Sequence, residues 1–202
     1  MLFRSNEFGI KIVPYFSFGV GAEGTPEFDR FAEEIKKKPE HGGTAGPRGA
    51  WRTTCPGSKL WRDYVTYKVR QLCGTHEMDG LYLDVSRAAA CHNPAHGCGY
   101  YDPERGRRVP TVNIFDMREV YKRTYSYLKS LEPKGVIFLH GADMAALPYV
   151  DIFTQGESWN RTRERAYRDL TPDFYRTIVN RTQYGVPFTF YSFHQYSWRG
   201  GR

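Results

Sequence analysis

Short apolar runs alternate with amphipathic segments along this chain. The runs lie near residues 10–16, 80–84, 136–140, 150–154 and 186–191. Each is five to seven residues long, is rich in β-branched, leucine or aromatic side chains, and is bounded by turn-forming residues. Apolar runs of that length and composition are typical of buried strands. The pattern therefore predicts five strands, with Pro14 near a strand end or a bulge because proline cannot donate to a sheet.

The intervening segments repeat apolar residues at helical spacing. Thr25 followed by Pro26 predicts a helix start with a capping side chain, and Ser58 predicts a second start, with Gly74 as its C-cap. A third helix is predicted over Ile114–Leu131 and two more near 163–170 and 172–180. The glycines and prolines of residues 39–49 predict a loop.

Strands that alternate with helices through short connections favour a parallel sheet with right-handed crossovers. At 202 residues the chain can bury one sizeable core, which predicts a single domain over residues 1–202. The first strand begins almost at Met1, and five strands are fewer than the eight of a closed barrel. The expected fold is α/β: a partial (β/α)8 barrel (TIM barrel) of about five parallel strands with outer helices, truncated at both ends.

Titratable side chains follow four of the predicted strands, namely Asp84, His140, Glu157 and His194. Parallel α/β proteins build their active sites at the carboxyl ends of strands. In the run 80–84, strand alternation places Asp84 on the face opposite Leu81 and Leu83. The alternative reading is structural: Asp84 would cap the following segment.

Composition narrows the classes of partner. The net charge is +7, but the basic residues are scattered, which fits a solvated surface better than a nucleic-acid site. Aromatic residues make up 16% of the chain, enough for sugar-stacking platforms or for a large core. No apolar run approaches the roughly 20 residues that span a bilayer. A Gly-rich phosphate loop and a Gly-x-Ser-x-Gly elbow are both missing from the sequence, and no cofactor is expected.

The loop after Asp84 contains Cys91, His92, His96 and Cys98. These are zinc-binding residue types, but their spacing is compressed compared with ordinary zinc motifs. A Cys91–Cys98 disulfide and a reduced loop shaped by Pro94 and Gly97 are the alternatives. The loop is expected to be structural, with no metal. The other two cysteines, Cys55 and Cys73, flank the second helix and lie too far apart to pair.

Several segments resemble a known family. GIKIVPYFSF, TPEF, CPGSKLWRDYVTYKVRQL, DGLYLDVSRAAACHNPAHGCGYYD, REVYKRTYSYLKSLEPKG and FLHGADMAALPYVDIFTQGES resemble the (β/α)8-barrel region of bacterial proteins related to glycoside hydrolase family 123. The resemblance covers about Gly9 to Glu157, and C-H-N-P-A-H-G-C-G is its most specific part. It implies a barrel that acts on a glycosidic bond in a carbohydrate.

The family's adjacent Asp-Glu pair is not found here, because Asp84 is followed by Val85 and Ser86. The chain looks like the third to seventh βα units of a barrel. In that register Asp84 ends the fourth strand and Glu157 follows the sixth, a placement similar to that of the nucleophile and the acid/base in retaining α-galactosidase-type barrels.

The predicted mechanism uses two carboxyl groups on either side of the glycosidic bond. Asp84 is predicted to be the nucleophile and Glu157 the acid/base, although Glu157 would equally suit the N-terminus of a helix. The predicted substrate-binding residues are Tyr15, Trp51, Tyr82, His140, Trp159 and His194. Two other functions stay open: a non-catalytic carbohydrate-binding or scaffold barrel, and a metal-dependent hydrolase built on the Cys/His loop.

Overall fold

A computed structural model describes residues 7–39, 42–46, 49–76, 78–131, 134–141, 145–155, 171–173, 176, 182–183 and 185–190. The helices are α1 (Pro26–Ile35), α2 (Lys59–Thr75) and α3 (Ile114–Lys129). The strands are β1 (Tyr15–Ser17), β2 (Val20–Ala22), β3 (Gly42–Gly46), β4 (Gly49–Thr53), β5 (Gly80–Asp84), β6 (Ala90–Cys91), β7 (Tyr100–Asp102), β8 (Arg107–Val109), β9 (Thr111–Val112), β10 (Val136–His140), β11 (Ile152–Gln155), β12 (Thr182–Gln183) and β13 (Val186–Phe190).

The main sheet has the strand order β1-β5-β10-β11-β13-β12. Its first five strands are parallel, and β12 pairs antiparallel with β13. These are the five predicted strands, and the sheet does not close on itself within the described residues. The prediction of a partial (β/α)8 barrel is therefore confirmed. The parallel pairing also brings the carboxyl ends of β1, β5, β10 and β11 to one edge.

The core lies on one face of this sheet. Alternate residues of the central strands are fully buried and pack with the apolar faces of the helices, as the helical and strand periodicities predicted. The buried members include Leu81, Leu83, Ile137, Leu139, Phe153, Val65, Val69, Tyr121 and Leu128. Burial of such side chains contributes about 1.5–3 kcal/mol each. Tyr82 and Asp84 are only half-buried because they point to the other face of β5.

Local expectations differ from the structure in four places. The first strand starts at Tyr15 rather than near residue 10, because Pro14 has no N–H to donate. Thr25 does not cap α1; its hydroxyl donates instead to the carbonyl of Ala22. Ser58 does cap α2, accepting from the N–H of Trp61, but the helix continues through Gly74 to Thr75.

The fourth difference is the predicted loop over residues 39–49. Part of it forms β3 and β4, which pair with each other and with β2 in a three-stranded antiparallel sheet. Glycine-rich sequence carries no alternation of side chains, so this pairing depends on backbone hydrogen bonds that the pattern could not predict. The helices predicted near 163–170 and 172–180 fall largely outside the described residues. No helix in the described ranges is both long and apolar enough to cross a membrane.

The turn that follows β5 is held by the loop that follows β1. The N–H of Phe18 donates to Ser86 Oγ at 2.9 Å, and Ser86 Oγ donates to the carbonyl of Asp84 at 2.8 Å. From the other side, Tyr121 of α3 donates to the carbonyl of Ser86 at 2.7 Å. The backbone at Gly19 approaches so closely that a Cβ there would lie 2.0 Å from the carbonyl oxygen of Val85.

We expect Gly19→Ala to lower the free energy of unfolding by about 2 kcal/mol, which corresponds to a fall in Tm of about 4–8 °C. The reason is steric, because the added methyl group meets backbone that three hydrogen bonds hold in place. Thermal unfolding of the purified chain measures the effect.

Gly74→Ala is the matched control. Gly74 is exposed on α2, and a Cβ there would lie 3.1 Å from the hydroxyl of Tyr127, with no other atom within 4 Å. Alanine is the better helix former, so this variant should keep or raise the Tm. Equal stability of the two variants would contradict the close approach at Gly19.

Candidate functional site

Asp84 lies at the carboxyl end of β5, where three donors converge on its carboxylate. Tyr15 Oη donates to Oδ2 at 2.8 Å, and the N–H of Val85 donates to Oδ1 at 2.7 Å. His140 Nδ1 lies 3.2 Å from Oδ1 and must be the donor there, since an ionised carboxylate only accepts. The site is thus built from three adjacent parallel strands. Asp84 and His140 end β5 and β10, whereas Tyr15 begins β1 and pairs with Tyr82.

Val85 adopts an uncommon backbone conformation to complete this arrangement. It is the one non-glycine residue with positive φ among the described residues, at 47°. A β-branched residue in that region is strained, and such strain tends to occur at functional sites. Here it turns the Val85 N–H back towards the carboxylate of Asp84. The hydrogen bonds of Ser86 on the following residue hold the turn in place.

Aromatic rings line the face of the sheet that carries the carboxylate. Tyr82 stacks on the His140 imidazole, with centroids 6.1 Å apart and planes 20° apart. Tyr15 and Phe138 contact the ring of Tyr82 edge-on at 5.8 and 5.1 Å. Tyr15 is more than half exposed. The carboxylate therefore has an apolar, partly open flank of the kind that a sugar ring can contact.

The environment keeps Asp84 ionised. Burial raises the pKa of this carboxyl group, but hydrogen bonds from His140, Tyr15 and the N–H of Val85 outweigh burial and hold its pKa below the usual range. Asp84 is consequently a carboxylate at neutral pH, which suits a nucleophile or an electrostatic stabiliser and excludes a general acid.

Arg87 is a part of this region that sequence reasoning missed. Gly141, which directly follows His140, has φ of +81°, and a Cβ there would lie 2.6 Å from Arg87 Nη2. The absent side chain lets the guanidinium lie against the backbone of Gly141. A lone arginine after a strand carries no signal of its own; only the pairing of β5 with β10 places it there.

The other predicted site residues have different outcomes. Tyr15, Tyr82 and His140 surround Asp84, as described above. Trp51 lies on β4 in the separate three-stranded sheet and is 42% exposed, and its role in substrate binding stays a prediction. Glu157, Trp159 and His194 lie outside the described residues, and their roles stay predictions.

The Cys/His loop forms a second cluster. Three of the four predicted loop residues (Cys91, His96 and Cys98) converge, and Cys55 from the segment before α2 takes the place of His92. All four cysteines of the chain are free, so neither the Cys91–Cys98 disulfide nor a Cys55–Cys73 bond is present. Sequence reasoning missed Cys55 because it lies in a different loop.

A cavity of about 660 Å³ runs along β1 between α1 and α2. Its wall includes Tyr15, Phe28, Trp61 and Tyr64. Asp84 and His140 are not part of that wall. The cavity touches the candidate site only through Tyr15, so it does not define where a substrate would meet the carboxylate.

Sequence comparison assigns no family. No protein-family model matches this chain, and no curated protein matches it. The resemblance to glycoside hydrolase family 123 and the bacterial origin therefore stay predictions.

Solved structures show the same fold at low sequence identity. A noncanonic maltogenic alpha-amylase from Thermotoga neapolitana matches with a TM-score of 0.58 and 10% identity, over 92% of this chain and 38% of its own. An alpha-galactosidase from Thermus thermophilus, in complex with p-nitrophenyl alpha-D-galactopyranoside, matches with a TM-score of 0.50 and 14% identity, over 82% of this chain and 31% of its own.

A cycloisomaltooligosaccharide glucanotransferase from Paenibacillus, complexed with cycloisomaltoheptaose, matches with a TM-score of 0.50 and 14% identity, over 75% of this chain and 22% of its own. This chain therefore spans less than two fifths of each of these three structures. Identities of 10–14% show a shared fold alone. The chain has the architecture of part of these carbohydrate-processing enzymes.

Proposed function

We propose that this protein hydrolyses glycosidic bonds in a carbohydrate, with Asp84 as the nucleophile. The observation that carries the proposal is the ionised carboxylate at the carboxyl end of β5, held by donors from β1 and β10. Barrel enzymes place their reacting groups at this end of the strands. The structural neighbours, which process carbohydrates, support the substrate class but not the individual roles.

The hydrogen bonds suit a nucleophile in two ways. They lower the pKa of Asp84, so that the attacking form is present at neutral pH. They also fix the direction of the carboxylate, because Val85 and His140 both donate to Oδ1 while Tyr15 donates to Oδ2. An oriented carboxylate attacks without first losing rotational freedom, which lowers the barrier.

Glu157 is the proposed acid/base, on the strength of its position in the chain. It follows β11 by two residues, and β10 alone separates β11 from β5 in the sheet. Two strand spacings put the backbones of β5 and β11 about 10 Å apart. Side chains that lean towards each other across that gap could bring the carboxyl groups to the roughly 5–5.5 Å of retaining enzymes.

A non-catalytic carbohydrate-binding barrel is the second candidate. The aromatic wall of Tyr15, Tyr82 and Phe138 favours it, because stacking on a sugar requires no reacting group. The two candidates differ in what happens to a bound glycoside, so a single set of assays separates them.

The charge state of Asp84 predicts a pH-dependent contribution to stability. Because its pKa is lower in the folded chain than in the unfolded chain, the stabilisation is fully present above the unfolded value of about 3.9 and is lost as pH falls through the folded value. Asp84→Asn should thus unfold more easily than the parent chain at pH 7, and the difference should shrink at acid pH. Urea unfolding at a series of pH values measures it.

Tyr15→Phe is the control for that series. It removes one of the three donors, so it should raise the pKa of Asp84 and give a smaller effect of the same sign. A stability gap between Asp84→Asn and the parent chain that did not change with pH would contradict the ionised carboxylate.

The activity test uses a panel of aryl α- and β-glycosides with good leaving groups. Asp84→Asn should abolish cleavage of every substrate that the parent chain cleaves, because no glycosyl-enzyme can form. Glu157→Gln should keep the first step for these substrates, since they need little protonation to depart. Azide should then restore turnover of Glu157→Gln and yield a glycosyl azide of retained configuration.

Asp102→Asn is the matched acidic control. This residue lies on β7, where its carboxylate accepts from two turn amides, so activity should stay unchanged. Parent-like cleavage by Asp84→Asn would refute the assignment of the nucleophile. Tight oligosaccharide binding without cleavage by the parent chain would favour the binding barrel.

A further inference from the structure

We propose that Cys55, Cys91, His96 and Cys98 bind one zinc ion in a closed structural site. The four side chains come from two separate loops, yet their ligand atoms all lie within 4.8 Å of one another. Three cysteines and one histidine are a common ligand set of structural zinc. The proposal does not depend on glycosidase activity, and it replaces the expectation of a metal-free loop.

Two of the distances between ligand atoms match a tetrahedron around zinc. Cys55 Sγ and Cys98 Sγ are 3.8 Å apart, and Cys91 Sγ lies 3.4 Å from His96 Nε2. With Zn–S bonds of about 2.3 Å and Zn–N bonds of about 2.0–2.1 Å, tetrahedral geometry requires about 3.8 Å between sulfurs and about 3.5 Å between sulfur and nitrogen. A disulfide would need about 2.05 Å, so Cys55 and Cys98 are not bonded to each other, and their spacing leaves room for a shared zinc ion.

The orientation of His96 also fits ligation. Its Nδ1 is hydrogen-bonded to the backbone carbonyl of Glu34, which makes Nδ1 the protonated nitrogen. Nε2 is then left with its lone pair facing Cys91. A histidine ligand to zinc usually donates its second ring N–H to a carbonyl or carboxylate in this way.

Amide donors surround the sulfurs. The N–H groups of Lys38 and Asn93 point to Cys91 Sγ at 3.5 and 3.4 Å, and the N–H of Gly57 points to Cys55 Sγ at 3.4 Å. Donors converging on sulfur stabilise thiolate, the form that binds metal, far better than they stabilise neutral thiol. The three amides therefore fit a thiolate ligand set.

The side-chain amide of Asn113 also donates to the sulfurs. Its Nδ2 lies 2.7 Å from Cys55 Sγ and 3.2 Å from Cys98 Sγ. The side chain precedes α3 and is buried, so one amide group ties both sulfurs to the start of that helix.

The backbone is shaped to let the sulfurs approach. A Cβ on Gly57 would lie 2.5 Å from Cys98 Sγ and 3.3 Å from Cys55 Sγ. The buried thiols of Cys55, Cys91 and Cys98 form a group of their own, separate from the main apolar core. The three thiols and the ring of His96 therefore converge on one point, as the ligands of a single ion do.

The cluster is hydrogen-bonded to the C-terminal end of α1. The carbonyl of Glu34 at this end is hydrogen-bonded to His96, as described above. The side-chain amide of Asn93 donates to the carbonyls of Glu33 and Lys36, at 2.9 Å each. The carbonyl of Ile35 accepts the N–H of Cys55 at 2.9 Å. Zinc would thus join the loop after β5 to the segment between β4 and α2, at the last turn of α1.

The site would be structural because it has no open position. Catalytic zinc keeps one coordination position for water or substrate, whereas four protein ligands complete a tetrahedron. Cys55, Cys91 and Cys98 are at most 5% exposed, which keeps substrate away from the metal. The role of the loop is then structural, as the sequence predicted. The difference is that a metal ion, which was not expected from the sequence, would hold it.

The test is the metal content of the full-length chain, purified without chelator and measured by inductively coupled plasma mass spectrometry. We expect about one zinc per chain. Removal of zinc by a chelator should lower the Tm, and added Zn²⁺ should restore it. Cobalt in place of zinc should give the visible absorption of a tetrahedral, thiolate-bound ion.

Paired variants separate the proposed ligands from their neighbours. Cys55→Ser and His96→Gln should each lower zinc affinity by more than about 100-fold, and Asn113→Ala, which removes only the outer amide, by about 10–100-fold. Cys73→Ser and His92→Gln should keep a full zinc complement. Cys73 is a buried free cysteine on α2 outside the cluster, and His92 is the sequence neighbour of Cys91.

Zinc-free parent protein that also fails to take up added Zn²⁺ would overturn the proposal. So would retention of zinc in Cys55→Ser together with its loss in His92→Gln, since that outcome assigns the metal to the loop residues alone. A parent chain that is purified with a Cys55–Cys98 disulfide and takes up no Zn²⁺ after that bond is reduced would identify the cluster as a redox pair instead. Because the parent chain is assayed directly, the result does not depend on whether every variant folds.

Discussion

The turn at Asp84–Ser86 is the constraint on which the candidate site depends. The loop after β1 meets it so closely that Gly19 has no room for a side chain, and α3 reaches it through the hydroxyl of Tyr121. The Ser86 hydroxyl accepts a hydrogen bond from the N–H of Phe18 and donates one to the carbonyl of Asp84. Because contacts from β1 and α3 meet on this one turn, the strained backbone of Val85 is held in the folded chain.

That turn also explains the charge of the site. Burial alone would raise the pKa of this half-buried carboxylate. Hydrogen bonds from His140, Tyr15 and the N–H of Val85 lower it instead. The three donors come from the start of β1, the end of β10 and the residue after β5, and the parallel pairing of these strands brings them to one carboxylate. The sheet therefore supplies both the position and the ionisation of Asp84, and the aromatic rings of the same strands supply its flank.

The cluster of Cys55, Cys91, His96 and Cys98 holds loops together. Long loops at the carboxyl ends of barrel strands carry few apolar residues, so they cannot be held by a core of their own. Here the end of α1, the segment before α2 and the loop after β5 meet through backbone hydrogen bonds and through the clustered side chains of Cys55, Cys91, His96 and Cys98 instead. The loop that begins at Asp84 is consequently anchored at the turn and again at the cysteines.

Periodicity in the sequence was sufficient for the five parallel strands, the three helices and the inward face of β5, because alternation and helical spacing are local properties of the chain. It also indicated Asp84 and His140 as strand-end residues. Tertiary structure alone decided what depends on distant segments: the pairing of β4 with β2, the contact of Tyr15 with Asp84, and the place of Cys55 in the cluster. Those contacts join residues far apart in the chain, and no local pattern encodes which distant backbone will arrive beside them.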